Sequence, residues 1–521
     1  MSRARAHSTK SPSTMTHSTD HLPELAPLDE SNRSLAAQVH PADWVNPSPK
    51  GRYNLVVLGG GTAGLVAAAG AAGLGARVAL VERHLLGGDC LVTGCVPSKA
   101  LIRSARAAAS ARRASALGVH TGEVTVDFPA VMERMRTLRA GIARNDSANR
   151  FRDLGVDVFL GEGRFASPTT LEVGGQTLPF ARAVIATGAR AALPPIPGLE
   201  EAGVLTHRTL FSLESLPARL AVIGGGPIGA EMAQAFARFG SRVTLLEAGP
   251  RLMGADDPAA SAVVLDALRA DGVDVRLDAR VQAVQTTGNL RRIEVSHGEA
   301  VEVDQVLLAA GRAPNVEGIG LEEAGVSFDL RAGVKVDDRL RTSNRRIFAA
   351  GDVASRYQFT HAADFLSRTV LRNALFFGRA KATDLVIPWA TYTDPEVAQV
   401  GTTAGEAARG GVPHGVIEVP LEDNDRALLD GEAAGFVKVV HDPRGRILGA
   451  TVVASHAGEM IGELVGAVQR GASLTELSGV IHPYPTVADA IRRAGDQFNR
   501  TRLTPGRARL LRWILARQRG S

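Results

Sequence analysis

Apolar and polar positions divide the chain into blocks of different period. The apolar run Tyr53-Asn-Leu-Val-Val-Leu58 reads as a buried strand, Gly59 to Gly64 as a glycine turn, and the Ala-rich stretch to about Gly75 as a helix. A second apolar run, Arg77 to Val81, ends on Glu82. The same succession returns at Leu220–Ile223, Gly224–Gly229, a helix through Phe239, and Val243–Leu246 closing on Glu247. From Thr360 a helix follows a loop, and from about 390 to 500 short apolar runs (Phe436–Val440, Ile447–Val453) alternate with helical stretches such as Met460–Gln469. The two ends differ from all of this. Residues 1–52 lack apolar periodicity and read as a disordered leader. The tail from about Thr501 sets Leu510, Leu511, Trp513, Ile514 and Leu515 among Arg507, Arg509, Arg512, Arg517 and Arg519. It reads as a basic amphipathic helix, able to lie on an anionic membrane or to pack on its own dimer.

Strand, glycine turn, helix, strand and acidic residue, in that order, bring a pyrophosphate to a helix N-terminus and a carboxylate to a ribose hydroxyl. Two such units imply two bound dinucleotides. The length of 521 residues suits about three domains. A net charge of +5, spread except at the ends, gives little support for a nucleic-acid partner. No stretch resembles a secretory signal or is apolar enough to span a bilayer, so a cytoplasmic location is expected.

The whole chain holds two cysteines, Cys90 and Cys95, within Gly87-Gly-Asp-Cys-Leu-Val-Thr-Gly-Cys-Val-Pro-Ser-Lys99. One isolated pair fits neither a disulfide framework nor a structural zinc site, and no resident metal is expected. A local redox couple on the first turn of a helix, near Pro97 and with Lys99 close by, would favour a thiolate; two small buried residues are the plainer alternative. A redox pair after the first fingerprint points to a flavin there.

The order of fingerprint, CxxxxC-V-P-S-K, second fingerprint and Ala350-Gly-Asp352 resembles the pyridine nucleotide-disulfide oxidoreductases, which include glutathione reductase, dihydrolipoyl dehydrogenase and mercuric reductase. The resemblance implies an α/β fold with two Rossmann-like domains, for FAD and NAD(P), and a C-terminal α+β dimerisation domain. The expected bounds are 53–199 and 320–384 for the FAD domain, 200–319 for the NAD(P) domain, 385–500 for dimerisation and 501–521 for the tail. It further implies FAD on Gly59, Gly61 and Gly64 with Glu82 at the ribose, Thr187 and Gly188 on the strand crossing beside it, and Gly351 and Asp352 at the ribityl chain. The nicotinamide cofactor would lie on Gly224, Gly226 and Gly229, with Gly311 nearby. Lys99 and Glu231 would pair beside the flavin. Electrons would pass from nicotinamide through FAD to Cys95 and Cys90 and on to an acceptor, in a homodimer. A free carboxylate at Glu247 favours NADH over NADPH, although Arg251 could soften that preference.

Disulfide-specific relatives carry His-Pro-Thr and then an acid near the C-terminus, as acid/base and its orienting partner. This chain reads Ile481-His-Pro-Tyr-Pro-Thr-Val-Ala-Asp489, which puts Tyr484 in the His slot and Asp489 in the acidic one, with His482 two residues away. A phenol is a poor base at neutral pH. Mercuric reductases resemble the chain at this point, so the acceptor expected is a metal ion or small molecule. Against Hg(II) itself stands the absence of any cysteine after Cys95 in this sequence. Dihydrolipoyl dehydrogenase, another disulfide or quinone reductase, and a redox-sensing flavoprotein docking on a membrane or protein partner are the alternatives.

Overall fold

The computed structural model describes residues 25–520. Its first sheet is built on the strand Tyr53–Leu58, which pairs in parallel with Val78–Glu82 on one side and Gln176–Ile185 on the other. Val156–Leu160 extends the sheet beyond Val78–Glu82, and the late strand Ile347–Ala349 returns to pair with Gln176–Ile185. Leu55, Val56 and Val57 are fully buried because helices or other chain cover both faces, and such a strand reads as a continuous apolar run. The helix Thr62–Gly73 packs its alanines Ala67, Ala68 and Ala71 on that sheet.

A second parallel sheet has the order Asp274–Arg276, Arg242–Leu246, Arg219–Ile223, Gln305–Leu308. The third is antiparallel and five-stranded, running Trp389–Thr391, Glu396–Gly401, Ile447–Ala454, Phe436–His441, Gly415–Pro420. The helices Ala457–Arg470 and Asp489–Thr501 share its core. The fold is thus α/β, with two Rossmann-like units and an α+β unit.

Polar and charged groups tie the units together. Gln234 of the second unit donates to the Asp394 carbonyl of the third at 2.9 Å, and Lys438 of the third reaches Asp257 of the second at 2.8 Å. Both Lys438 and Asp257 are buried, so each is the partner the other needs once water is excluded.

The N-terminal expectation needs correction. Residues 25–52 are ordered, and the part of the expectation that falls on 1–24 lies outside the described residues. Asp29 caps the helix Glu30–Val39 through the Asn32 amide at 2.8 Å and pairs with Arg136 at 2.5 Å. Asn32, Leu35 and Val39, at helical spacing, are buried against the helix Phe128–Ile142 and its neighbours. Two apolar side chains gave too weak a periodicity to read, and the third buried group, Asn32, is polar. The tail does form a helix, Pro505–Gln518, and none of its residues is buried.

Candidate active site

The cysteines do not share one helix. Cys90 lies on the short helix Gly88–Val92, and Cys95 begins the helix Cys95–Arg113, two residues ahead of Pro97. Gly94 turns the chain between them, where a Cβ would stand 2.7 Å from the Asp89 carbonyl oxygen. The turn lets the Cys90 thiol donate a hydrogen bond to Cys95. That bond, followed by burial, pushes the Cys90 thiol well above its ordinary range. Cys95 moves the other way, to about 6, first through the bond from Cys90 and then, against the effect of burial, through Thr360 and the charge of Lys99. The Thr360 hydroxyl lies 3.3 Å from Cys95 Sγ and begins the helix Thr360–Leu375, whose positive end therefore faces the thiolate.

Lys99, one turn after Cys95, donates to Glu231 at 2.9 Å and lies 4.5 Å from the centre of the Tyr392 ring. Glu231 is buried and accepts the Tyr392 amide on its other oxygen, also at 2.9 Å. The Lys99 ammonium is thereby fixed by one residue from each of the other two units.

Both cysteines, Lys99 and Glu231 open on one cavity of about 1110 Å³, which Gly59, Gly61, Glu82, Thr187, Gly188, Gly351 and Asp352 also line. That volume is at the top of the range of small-molecule pockets and suits a dinucleotide. The walls fit FAD. Gly61 caps the helix Thr62–Gly73 without any side-chain bond, so its first amides remain free for a pyrophosphate. Glu82 accepts the Gly60 and His84 amides at 2.5 and 2.7 Å, and burial raises its pKa.

Around Asp352 the structure adds a cluster that the motifs did not reveal. Arg312 reaches Asp89 at 2.5 Å and Asp352 at 3.3 Å, and His207 stands 3.4 Å from Asp89. Burial raises the Asp352 pKa against the pull of Arg312. Burial would do the same to Asp89, yet His207 and Arg312 hold it well below the usual carboxylate range. Arg312 could have been suspected from its place directly after Gly311; His207 gives no local signal.

The second fingerprint repeats the design. Glu247 accepts the Gly225 and Gly249 amides at 2.6 and 2.7 Å, and Gly226 caps the helix Pro227–Phe239 without a side-chain bond. Gly64, Gly224, Gly226, Gly229, Glu247 and Gly311 do not line the cavity, whereas Pro227, Ile228 and Met232 do. Arg251 spends its guanidinium on the carbonyls of Asp256 and Gly254, at 2.8 and 2.5 Å.

The C-terminal candidates lie elsewhere. Tyr484, His482 and Asp489 are not in the cavity wall. His482 is not a free acid/base, because Nε2 pairs with Glu463 at 2.9 Å, Nδ1 lies 3.2 Å from the Val480 carbonyl, and the side chain is 7% exposed. Asp489 does not orient Tyr484 either. Arg492 and Arg493 each hold it at 2.8 Å, since helical spacing stacks both over its carboxylate. Tyr484 is 76% exposed and donates its phenolic hydrogen to Asp425 at 2.9 Å, a partner 59 residues away that no motif marks.

Residues 53–365 match the family described as pyridine nucleotide-disulphide oxidoreductase, and residues 387–494 match its dimerisation domain. The chain is 34% identical to a mercuric reductase of Bacillus cereus, over 86% of this chain and 72% of that one. It is 33% identical to a dihydrolipoyl dehydrogenase of Chlamydia muridarum, over 84% and 95%. Among solved structures it resembles the Cu(II) complex of the HOCl-induced flavoprotein disulfide reductase RclA from Escherichia coli, with a TM-score of 0.76, 30% identity, and coverage of 84% of this chain and 98% of that one.

Proposed function

The chain belongs to the pyridine nucleotide-disulphide oxidoreductase family, and on that premise we propose that it spends NADH to reduce a soft metal ion or a comparably small acceptor at Cys90 and Cys95. The family uses FAD and NAD(P)H, and its dimerisation domain supports a homodimer. When bound, FAD supplies the two-electron link between nicotinamide and the cysteine pair. The chain's own residues do the rest. Gly59, Gly61 and Glu82 hold the flavin nucleotide, with Thr187, Gly188, Gly351 and Asp352 along its length. Gly224, Gly226, Gly229 and Glu247 hold the nicotinamide nucleotide, with Gly311 near its rim. Lys99 and Glu231 fix a positive charge beside the thiolate of Cys95, while Cys90 meets the acceptor.

The observation that carries the acceptor class is Tyr484. In the dimer this side chain is read as facing the partner subunit's Cys90, in the slot where disulfide-specific relatives place a histidine. A phenol that donates to a carboxylate, and whose pKa is raised by it, is not a free base for a dithiol. Its oxygen can still face a soft cation held by thiolates. The mercuric reductase relative and the Cu(II)-bound RclA support a metal acceptor. Glu247, with Arg251 turned to backbone carbonyls, supports NADH.

The test is anaerobic oxidation of NADH and NADPH by the FAD-loaded protein with Hg(II) or Cu(II) under excess thiol, beside lipoamide and glutathione disulfide. Rapid turnover with a metal ion, faster with NADH and lost in Cys95→Ser with flavin still bound, is expected. Lipoamide as the best acceptor would overturn the reading. The ultraviolet absorbance of the Cys95 thiolate should persist across neutral pH and fade as pH falls through about 6, because the depressed pKa keeps the charged form above that value.

A further inference from the structure

We propose that the C-terminal helix Pro505–Gln518 docks the protein on an anionic lipid surface, lying flat with its leucines at the boundary between headgroups and acyl chains. This is independent of which acceptor the cysteines reduce. From Thr501 to Ser521 the chain carries six arginines, Arg502, Arg507, Arg509, Arg512, Arg517 and Arg519, and no acidic residue. That segment alone outweighs the net +5 of the whole chain, so the positive charge is concentrated there. The match to the dimerisation domain ends at residue 494, ahead of the tail.

Helical spacing sorts the side chains. Leu510, Leu511, Ile514 and Leu515 share one face, and Arg509, Arg512 and Arg519 project from the opposite one. Trp513 stands at the border, with the Arg517 guanidinium 4.3 Å from the centre of its ring. An amphipathic ring in that position suits the headgroup level of a bilayer. Arg507 in the first turn and Arg517 in the last fall nearer the apolar side, where their long stems let the charge reach back to the headgroups. The protein's own body does not use this face. All five apolar side chains are exposed, and Arg507 and Arg512 donate to the carbonyls of Arg502 and Ala508, at 3.0 and 3.2 Å, within the tail itself. A helix of 14 residues is marginal on its own in water, so a surface that covers the leucines also stabilises it. Its length of about 21 Å falls short of the ~30 Å hydrocarbon core, so it lies on a bilayer rather than across it. A nucleic acid would take the arginines and leave the leucines in water. A second copy of the tail would take the leucines and set six arginines beside six more. An anionic bilayer takes both.

The experiment mixes the FAD-loaded, full-length dimer with vesicles of phosphatidylcholine, with or without phosphatidylserine, and reads co-sedimentation and the blue shift of tryptophan emission. Binding to the phosphatidylserine vesicles alone, reversed by salt, is expected, with the shift lost in Trp513→Phe. Replacing Arg509 and Arg512 by Gln should weaken binding by about five-fold for each charge removed. Leu511→Ser with Ile514→Ser should abolish the shift and most of the sedimentation, while flavin content and NADH oxidation match the parent. Truncation after Arg502 should abolish sedimentation and leave the dimer intact by analytical ultracentrifugation. Failure of the parent to bind phosphatidylserine vesicles, or equal binding to both kinds, overturns the proposal. So does parent-like binding by the double serine variant, which would make the tail a plain polycation suited to nucleic acid. A truncated chain that becomes monomeric overturns it too, by assigning the leucines to the dimer.

Discussion

The two Rossmann-like units carry nearly the same local design and differ in what covers it. In each, a glycine turn is pinned by a carboxylate that takes two backbone amides, Glu82 in the first and Glu247 in the second. In each, a following segment donates one amide to the turn, Gly87 to the Gly60 carbonyl and Met253 to the Gly225 carbonyl, both at 2.8 Å. Beyond that point they part. The first turn has Gly88 close over Gly61, and Leu86 donates to the Val39 carbonyl of the N-terminal helix at 3.2 Å. Gly226 has open space in front of it. The same turn design therefore lies under cover in one unit and open in the other. A cofactor that stays and a cofactor that exchanges need that difference, and the fingerprint does not encode it.

The largest effect that would sharpen this contrast comes from the last glycine of each fingerprint. A Cβ on Gly64 would lie 1.8 Å from the Gly59 carbonyl oxygen, and one on Gly229 would lie 1.9 Å from that of Gly224. Each substitution to alanine must separate a helix from its turn. Gly64→Ala should yield protein without bound flavin, by absorbance of the purified sample. Gly229→Ala should retain flavin but lose about 10²-fold in kcat/KM for NADH, or ~2.7 kcal/mol. Equal flavin loss in both variants would break the comparison.

A smaller effect is expected at the carboxylate of the open unit. Glu247→Ala removes hydrogen bonds to a charged group, worth about 1.5–3 kcal/mol. It should raise KM for NADH by roughly 10-fold, narrow the preference over NADPH and leave flavin content unchanged, as measured by steady-state kinetics with both nucleotides. An unchanged NADH to NADPH ratio would remove Glu247 from nucleotide choice.

The smallest concerns the cover itself. Arg139 is buried, with its pKa brought down to about 10 chiefly by burial, and donates to the Asn32 side chain at 2.6 Å and to the Val92 carbonyl at 2.7 Å. It thus links the N-terminal helix to the helix that bears Cys90. Asn32→Leu leaves one of its donors unsatisfied, at a cost of about 1–3 kcal/mol. Thermal release of flavin should occur at lower temperature in this variant, with NADH KM unaffected. Release at the parent temperature would mean that the N-terminal helix is no part of the cover.

Much of the fold was legible because its signals are local. Apolar runs of strand length, glycine turns and terminal carboxylates fall within about thirty residues of one another in a βαβ unit. Where the reading failed, the missing information lay far along the chain. Asp89, Arg312 and His207 meet near Asp352 from separate segments, and Tyr484 finds Asp425 rather than the Asp489 of its own motif. The helix Glu30–Val39 escaped notice because only Leu35 and Val39 mark its buried face, while Asp29 and Asn32 tie it to the arginines of another helix.

The sequence by itself determined the two dinucleotide units and the redox pair, since a glycine turn before a helix and a thiol at a helix start have consequences set by nearest neighbours. Tertiary structure decided which nucleotide site is covered, which carboxylate faces the phenol, and how the two thiols divide one proton. Those are long-range questions. A hydrogen bond or a buried charge depends on what comes within about 3 Å in space, and distance along the chain carries no record of that.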